Sequence, residues 1–125
     1  MRKRGILGAA MAAVALGAVW MPTAHADGHG VGTYGVWANS VNIRDNAPGS
    51  TGCGIRPSVA ACPSVQAQVN AGDVVNVICQ QPGQTVGGNP YWVLVSTQDH
   101  RSMGFMASYY LKNKTNWIDG LGLCQ

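Results

Sequence analysis

The residues able to carry out acid–base or nucleophilic chemistry are few in this 125-residue chain. It contains aspartate but no glutamate, and its one adjacent pair of aspartate and histidine, Asp99 and His100, lies in the sequence QDHR, which is typical of a turn. General acid–base catalysis needs both groups to face the same substrate atoms, whereas neighbours in a tight turn usually point apart. The chain also lacks a nucleophile elbow, a phosphate loop and a metalloprotease motif. We therefore expect no catalytic residues and no enzyme activity.

The other reactive side chains are four cysteines, Cys53, Cys62, Cys79 and Cys124. Zinc ribbons use close Cys-x-x-Cys pairs, and no spacing here provides one, so we expect neither a metal nor a cofactor. An even number of cysteines in a small exported chain is typical of disulfides. Three pairings are possible. We favour Cys53–Cys62, which would close a glycine-rich arm, and Cys79–Cys124, which would hold the tail to a central strand.

Export is indicated by residues 1–26. A basic start, Arg2-Lys3-Arg4, precedes the apolar stretch GILGAAMAAVALGAVWM, and Ala24-His25-Ala26 has the small-x-small pattern that signal peptidase cleaves. This order predicts a secretory signal peptide and not a retained membrane anchor, because no charged stop-transfer flank follows the apolar stretch. We expect a secreted protein whose mature form has no membrane span.

Removal of residues 1–26 also changes the charge balance. Three of the eight basic residues lie in that segment, and the remaining basic residues equal the five aspartates in number. A formally neutral protein gains little by displacing counterions from a nucleic acid backbone. We therefore expect neither DNA nor RNA as a partner.

Short β-branched and aromatic runs, separated by glycine, proline, asparagine and serine, make up the rest of the chain. No helical period is sustained, which favours an all-β fold. We predict a loop at residues 82–90 and strands at residues 34–38, 41–44, 65–70, 74–80, 91–97 and 102–107. Roughly five to six short strands without a covering helix predict a small barrel, because closing the sheet removes its exposed edges.

Residues 45–64, which we call the arm, are long for a connection and poor in apolar residues. Glycines in this segment permit turns, whereas its prolines restrict the backbone. We therefore predict an irregular loop beside a groove. A disulfide between Cys53 and Cys62 would remove much of its conformational freedom.

Four pieces of the sequence, taken in order, resemble the bacterial SH3-like (SH3b) domain of secreted, disulfide-containing proteins from Gram-positive bacteria. The pieces are VNIR at 41–44, AGDVVNVICQ at 71–80, GQTVGGNPYWVLV at 83–95 and GFMASYYL at 104–111. The resemblance implies an SH3-like β-barrel over residues 36–111. We expect a flexible segment at 27–35 before it and a disulfide-tied tail at 112–125 after it.

The resemblance implies a small barrel that binds peptides, often the cross-linking peptides of peptidoglycan. Two departures from the family pattern lie on the groove side: Phe105 stands where members commonly carry tryptophan, and the arm is longer and has its own cysteine pair. We expect a monomeric, non-catalytic module, free outside the cell or held at the wall, that recognises a peptide-containing ligand. The alternative is a small inhibitor or modulator of an extracellular enzyme such as a protease, acting through a projecting arm.

The candidate ligand-binding residues are mainly aromatic. Alternation along the strand at 91–97 places Tyr91 and Trp92 on opposite faces, so one ring should be buried and the other partly exposed. Exposed rings that line a cleft form rigid platforms for peptides or sugars, although each ring could equally fill the core. A charged pair beside the arm could read a peptide's charged groups or form a surface salt bridge of little consequence. The candidates are Arg44, Asp45, Tyr91, Trp92, Phe105, Tyr109 and Tyr110.

Overall fold

The computed structural model describes residues 28–125, and all named strands in this range belong to one antiparallel sheet. The elements are β1 (Gly32–Gly35), β2 (Val41–Asp45), β3 (Ser64–Val69), β4 (Val74–Val86), β5 (Asn89–Thr97), β6 (Met103–Ala107) and a 3-10 helix at Ser108–Tyr110. The strand order in the sheet is β1-β4-β5-β6-β2-β3. The predicted signal peptide at residues 1–26 lies outside the described residues.

The prediction of an all-β fold is confirmed, and the sheet is open. Strands β1 and β3 form its two edges, and no ladder within residues 28–125 joins them, so a closed barrel is not confirmed. Side chains from all six strands nevertheless meet in one buried cluster. The sheet therefore curls around this cluster, which tail residues Ile118 and Leu121 complete.

The first strand begins earlier than predicted. Strand β1 covers Gly32–Gly35 and pairs with the first residues of β4. It begins within the segment predicted to be flexible at 27–35, two residues before the strand predicted at 34–38, and it ends three residues before that prediction does. Tyr34 on this strand is buried in the main cluster, and its hydroxyl donates to the carbonyl oxygen of Gly30 at 2.6 Å. Ladder pairing and burial of one ring outweigh the weak strand propensity of the two glycines, because strand preference depends mainly on packing.

The segment predicted as a loop at residues 82–90 is mostly strand. Strand β4 continues to Val86 and β5 begins at Asn89, so Gly87 and Gly88 alone form the turn. Both glycines have positive φ, +57° and +82°, which is the requirement of a tight two-residue hairpin turn. The two prolines of this segment, Pro82 and Pro90, are tolerated in the strands because the β4–β5 hydrogen-bonding ladder is irregular between Pro82 and Val86.

A buried glutamine holds the tail against β4. The Gln80 side chain donates from Nε2 to the carbonyl oxygens of Ile118 (2.8 Å) and Leu121 (2.7 Å), and its Oε1 accepts from the Ile118 amide (2.9 Å). Full burial is tolerated because both donors and one acceptor are satisfied. The Cys79–Cys124 disulfide links the same two segments. The predicted attachment of the tail is thereby confirmed.

Candidate binding surface

The arm packs on the sheet and does not project from it. Its disulfide, Cys53–Cys62, confirms the favoured pairing, and both cysteines are fully buried. They form a second hydrophobic cluster with Trp92 and Phe105. A hydrogen bond of 2.8 Å from a β4 amide to the Pro57 carbonyl oxygen attaches the arm to the sheet. Cys53, Pro57 and Cys62 of the arm are therefore part of the folded core.

Two of the predicted ligand-binding rings are core residues beneath the arm. Trp92 is 2% exposed and Phe105 is 7% exposed. The Trp92 indole donates to the carbonyl oxygen of Gln84 at 2.8 Å, so its polar atom is also satisfied within the protein. Tyr91 is half-buried, which confirms that alternation buries one ring of this pair and leaves the other partly exposed. Trp92 nevertheless lines one of the two clefts described below, whereas Phe105 lines neither of them.

The predicted charged residues Arg44 and Asp45 have different hydrogen-bond partners. Arg44 Nη1 donates to the Cys62 carbonyl oxygen at 3.3 Å, so its guanidinium is turned towards the arm. The Asp45 carboxylate accepts from the Asn46 amide at 2.7 Å and stabilises the start of the arm. Successive side chains of a strand point to opposite faces. Only Arg44 borders a cleft.

The exposed rings meet where residue 37 packs against the 3-10 helix. Trp37 contacts Tyr109 edge-to-face with ring centroids 5.2 Å apart, and Tyr110 lies 5.9 Å from Trp37 and 5.2 Å from Tyr109. We call these three residues the aromatic ridge. Trp37 is 45% exposed and Tyr109 is 37% exposed. The sequence identified the two tyrosines as candidates but not Trp37, which is distant from them along the chain.

Main-chain contacts fix the aromatic ridge in place. The Trp37 indole nitrogen donates to the Tyr109 carbonyl oxygen at 2.8 Å, and the Trp37 amide donates to the Tyr110 carbonyl oxygen at 3.1 Å. The Tyr109 ring lies directly on Gly87, where a Cβ atom would overlap it. Gly87 thus permits both the hairpin turn and the close approach of the Tyr109 ring in the aromatic ridge. A surface ordered in advance loses little entropy when it binds.

Two clefts border the aromatic ridge. The larger has a volume of about 430 Å³ and lies between the Trp37 and Tyr109 rings and residues 111–116. The smaller, about 150 Å³, lies on the Tyr110 side and is lined in part by Arg44. Trp37 and Tyr109 therefore line the larger cleft and Tyr110 lines the smaller one, so the packed rings lie between the two. This shape can hold an elongated ligand.

A second aromatic pair is separate from the clefts. Tyr91 packs edge-to-face on Trp117 of the tail, with ring centroids 5.3 Å apart. Neither ring lines either of the two clefts that border the ridge. Tyr91 is therefore not brought together with Tyr109 and Tyr110, and its observed contact is with the tail.

The QDHR segment forms the turn expected from its sequence. The Asp99 carboxylate accepts from the Thr97 hydroxyl (2.6 Å) and the Arg101 amide (3.0 Å), and His100 has φ of +59°. The Thr97 hydroxyl, followed by the Arg101 amide, holds the pKa of Asp99 below its usual value. Asp99 thus has a role in the turn itself. Within residues 28–125, no cluster of three or more histidine, cysteine or acidic side chains could hold a metal ion.

Replacing Thr97 with valine should raise the pKa of Asp99 towards its ordinary value, because it removes a hydrogen bond to the charged form. Because the pKa of Asp99 is lower in the folded protein than in the unfolded chain, the charged carboxylate stabilises the fold at pH values above the unfolded-state pKa. This stabilisation is lost as the pH falls through the folded-state pKa. The variant should therefore lose less stability on acidification. NMR titration of the carboxyl group measures the change. Thr33→Val on β1 is the control, and an unchanged Asp99 pKa in Thr97→Val would contradict the assignment.

We found no protein-family model, curated protein or solved structure that matches the chain at a significant level. The SH3-like identity consequently stays a prediction. In the part of the chain that the structure describes, none of the helices has the length and apolar character needed to cross a membrane. The two disulfides are compatible with an oxidising, extracellular compartment.

Proposed function

We propose that this protein is a secreted, non-catalytic SH3-like binding module that recognises a peptide-containing ligand of the cell wall, with peptidoglycan as the first candidate. The observation that carries the proposal is the aromatic ridge. Its three rings are packed together, held by main-chain hydrogen bonds and bordered by a cleft on each side. Rigid exposed rings bind peptides and sugars at a low cost in conformational entropy.

The SH3-like part of the proposal is supported by the curled antiparallel sheet and by the positions of the four family-like pieces. VNIR forms most of β2, and AGDVVNVICQ forms the start of β4. GQTVGGNPYWVLV makes the β4–β5 hairpin, and GFMASYYL contains most of β6 and the 3-10 helix. Each piece is thus an element of the sheet or its direct continuation, as expected for a barrel-forming motif set.

The charges around the ridge favour a peptide. Arg44 lines the smaller cleft on the Tyr110 side, and Lys112 lines the larger cleft beside Tyr109. A chain that crosses the rings would meet a cation in the depression on either side. Peptides offer both carbonyl oxygens and carboxylates to such groups, and the fixed rings supply apolar contact between them.

The alternative, an inhibitor that acts through the arm, has less support. Ile55 and Arg56 are exposed on the arm, but both amides donate to the Gly52 carbonyl oxygen at 3.2 Å, so this segment is a turn. Extended segments are the form in which peptides add to a partner's sheet edge. Measuring inhibition of extracellular proteases separates this alternative from wall binding.

Trp37→Ala should weaken binding to purified cell walls roughly 30-fold, because truncating a central aromatic of an interface costs about 2 kcal/mol. The measurement is co-sedimentation of the oxidised protein with insoluble walls over a series of wall concentrations. Circular dichroism of each variant shows whether the fold is retained.

Trp117→Ala is the matched control. This tryptophan is 39% exposed, close to the 45% of Trp37, but it lines neither cleft. We expect the control to bind walls as the native protein does. Equal losses in the two variants would contradict a role for the ridge, and failure of the native protein to co-sediment would rule out the proposed function.

A further inference from the structure

We infer that the larger cleft binds a free carboxylate group, such as the terminal carboxylate of a wall peptide that lies across the aromatic ridge. The inference rests on the proposed function and specifies the chemistry of one part of its site. Three features of the cleft carry it: its charge, the arrangement of its amide side chains and an unpartnered hydroxyl.

The larger cleft is cationic, although basic residues and aspartates are equal in number over residues 27–125. Lys112 and Lys114 both line it, and no aspartate among residues 28–125 does, while the chain contains no glutamate. A depression lined by one sign of charge concentrates ligands of the opposite sign. The alkyl stem of Lys112 lies against Gly35, where a Cβ atom would stand 3.2 Å from the Lys112 Cδ. This packing restricts the stem and leaves less entropy to be lost on binding.

Amide side chains beside the lysines are oriented by the backbone. Asn89, buried at the start of β5, accepts the Tyr91 amide on its Oδ1 at 2.9 Å. Asn113 accepts the Gly28 amide on its Oδ1 at 2.7 Å. The Nδ2 group of Asn113 already donates to the Thr115 carbonyl oxygen (2.8 Å) and hydroxyl (3.1 Å). Of these two amides, only Asn89 therefore has its Nδ2 donor left for a ligand within residues 28–125. Donors together with cations match an anionic oxygen ligand.

Ser108 supplies an independent observation. It lines the larger cleft and is buried, and its Oγ has no hydrogen-bond partner among the described residues. Buried hydroxyls nearly always have a partner, because an unsatisfied polar atom is destabilising. The hydroxyl oxygen itself is buried, so a carboxylate oxygen in the cleft would accept from it after the Ser108 side chain rotates towards the cleft. The protein thus contains a donor at the cleft wall that its own atoms do not use.

The test compares two small probes by NMR titration of the oxidised protein. The first is N-acetyl-alanyl-alanine with a free terminal carboxylate, and the second is the same dipeptide as its terminal amide. We expect the acid to shift the backbone resonances of Asn89, Ser108 and Lys112 and to bind at least about fivefold more tightly than the amide. Equal binding of the two probes, or shifts confined to other parts of the protein, would overturn the inference.

Variants test the individual groups. Lys112→Gln should weaken binding of the acid by about two- to fivefold, the usual effect of one exposed charge pair, and leave the amide unchanged. Ser108→Ala should also weaken the acid while leaving thermal stability undiminished, because the hydroxyl has no partner to lose. Arg101→Gln removes an equal charge from the QDHR turn, outside the cleft, and should change neither probe. An equal effect of Arg101→Gln and Lys112→Gln would overturn the inference.

This test and the wall-binding test fail separately. If the acid probe binds in the cleft but the native protein does not co-sediment with walls, the carboxylate site stands and its ligand comes from another source. If the protein binds walls equally well after their carboxylates have been converted to amides, the carboxylate inference is overturned. The proposed function is unaffected by that second result.

Discussion

Gln80→Glu is expected to lower the free energy of unfolding by roughly 3 to 5 kcal/mol at neutral pH, the cost of an uncompensated buried charge. The native amide donates to the carbonyl oxygens of Ile118 and Leu121 at 2.8 and 2.7 Å. A carboxylate in its place would face these two carbonyl oxygens, which are hydrogen-bond acceptors, and would have no hydrogen to donate to them. Burial away from water adds to the penalty.

The pH dependence of this variant has a defined sign. Burial favours the neutral carboxyl, so the pKa of the introduced group must lie above its unfolded value. The destabilisation should therefore grow as pH rises through the unfolded pKa and should be relieved in acid. Urea denaturation at neutral and acidic pH measures both effects. Gln98→Glu, on an exposed side chain that donates to Asn76 at 2.8 Å, is the control and should change stability by less than about 0.5 kcal/mol. Similar losses in the two variants would contradict the role of Gln80.

Removing the Cys79–Cys124 disulfide is expected to cost more than removing Cys53–Cys62. The two bridges span sequence separations of 45 and 9 residues. The chain-entropy model gives contributions of about 4 and about 2.6 kcal/mol for loops of these lengths. Paired alanine substitutions, compared by thermal and urea denaturation, measure the difference. A reducing agent should lower the melting temperature of the native protein substantially.

The packing of the Cys53–Cys62 disulfide opposes the expected order of the two losses in stability. The arm bridge is fully buried beside Trp92 and Phe105, so its removal also leaves space in the second hydrophobic cluster. We expect loop closure to dominate because the two loop lengths differ so widely. Equal or reversed losses in the paired alanine variants would show that burial of the sulfur atoms outweighs the closure entropy.

The parts of the fold that depend on local pattern could be predicted from the sequence. Alternation of apolar and polar residues located β2, β3 and β5 within a few residues. The glycine-rich arm and the tail beyond the last strand led to the correct cysteine pairing. Gln80 could not be predicted. A ladder irregularity between Val77 and Cys79 interrupts the alternation, and both Gln80 and its neighbour Gln81 are buried.

The binding surface was predictable only in part. Tyr109 and Tyr110 follow directly on a strand, which made them candidates, but Trp37 joins them only through tertiary contact. That the arm covers Trp92 and Phe105 could not be predicted, because the arm contains few apolar residues and so looked unable to cover a ring. The disulfide itself supplies the missing apolar surface, since both of its cysteines pack in the cluster with these rings.

The position of the tail in the chain has a consequence for the order of events in biosynthesis. Residues 118–124 come after all six strands, yet they complete the main cluster and give Gln80 and Cys79 their partners. A growing polypeptide therefore cannot finish folding until this segment has emerged. Cys53 and Cys62 are available to each other long before then, so the short bridge can form first and leave Cys79 with a single remaining partner. If the bridges form in this order, folding from the amino end favours the native pairing among the three.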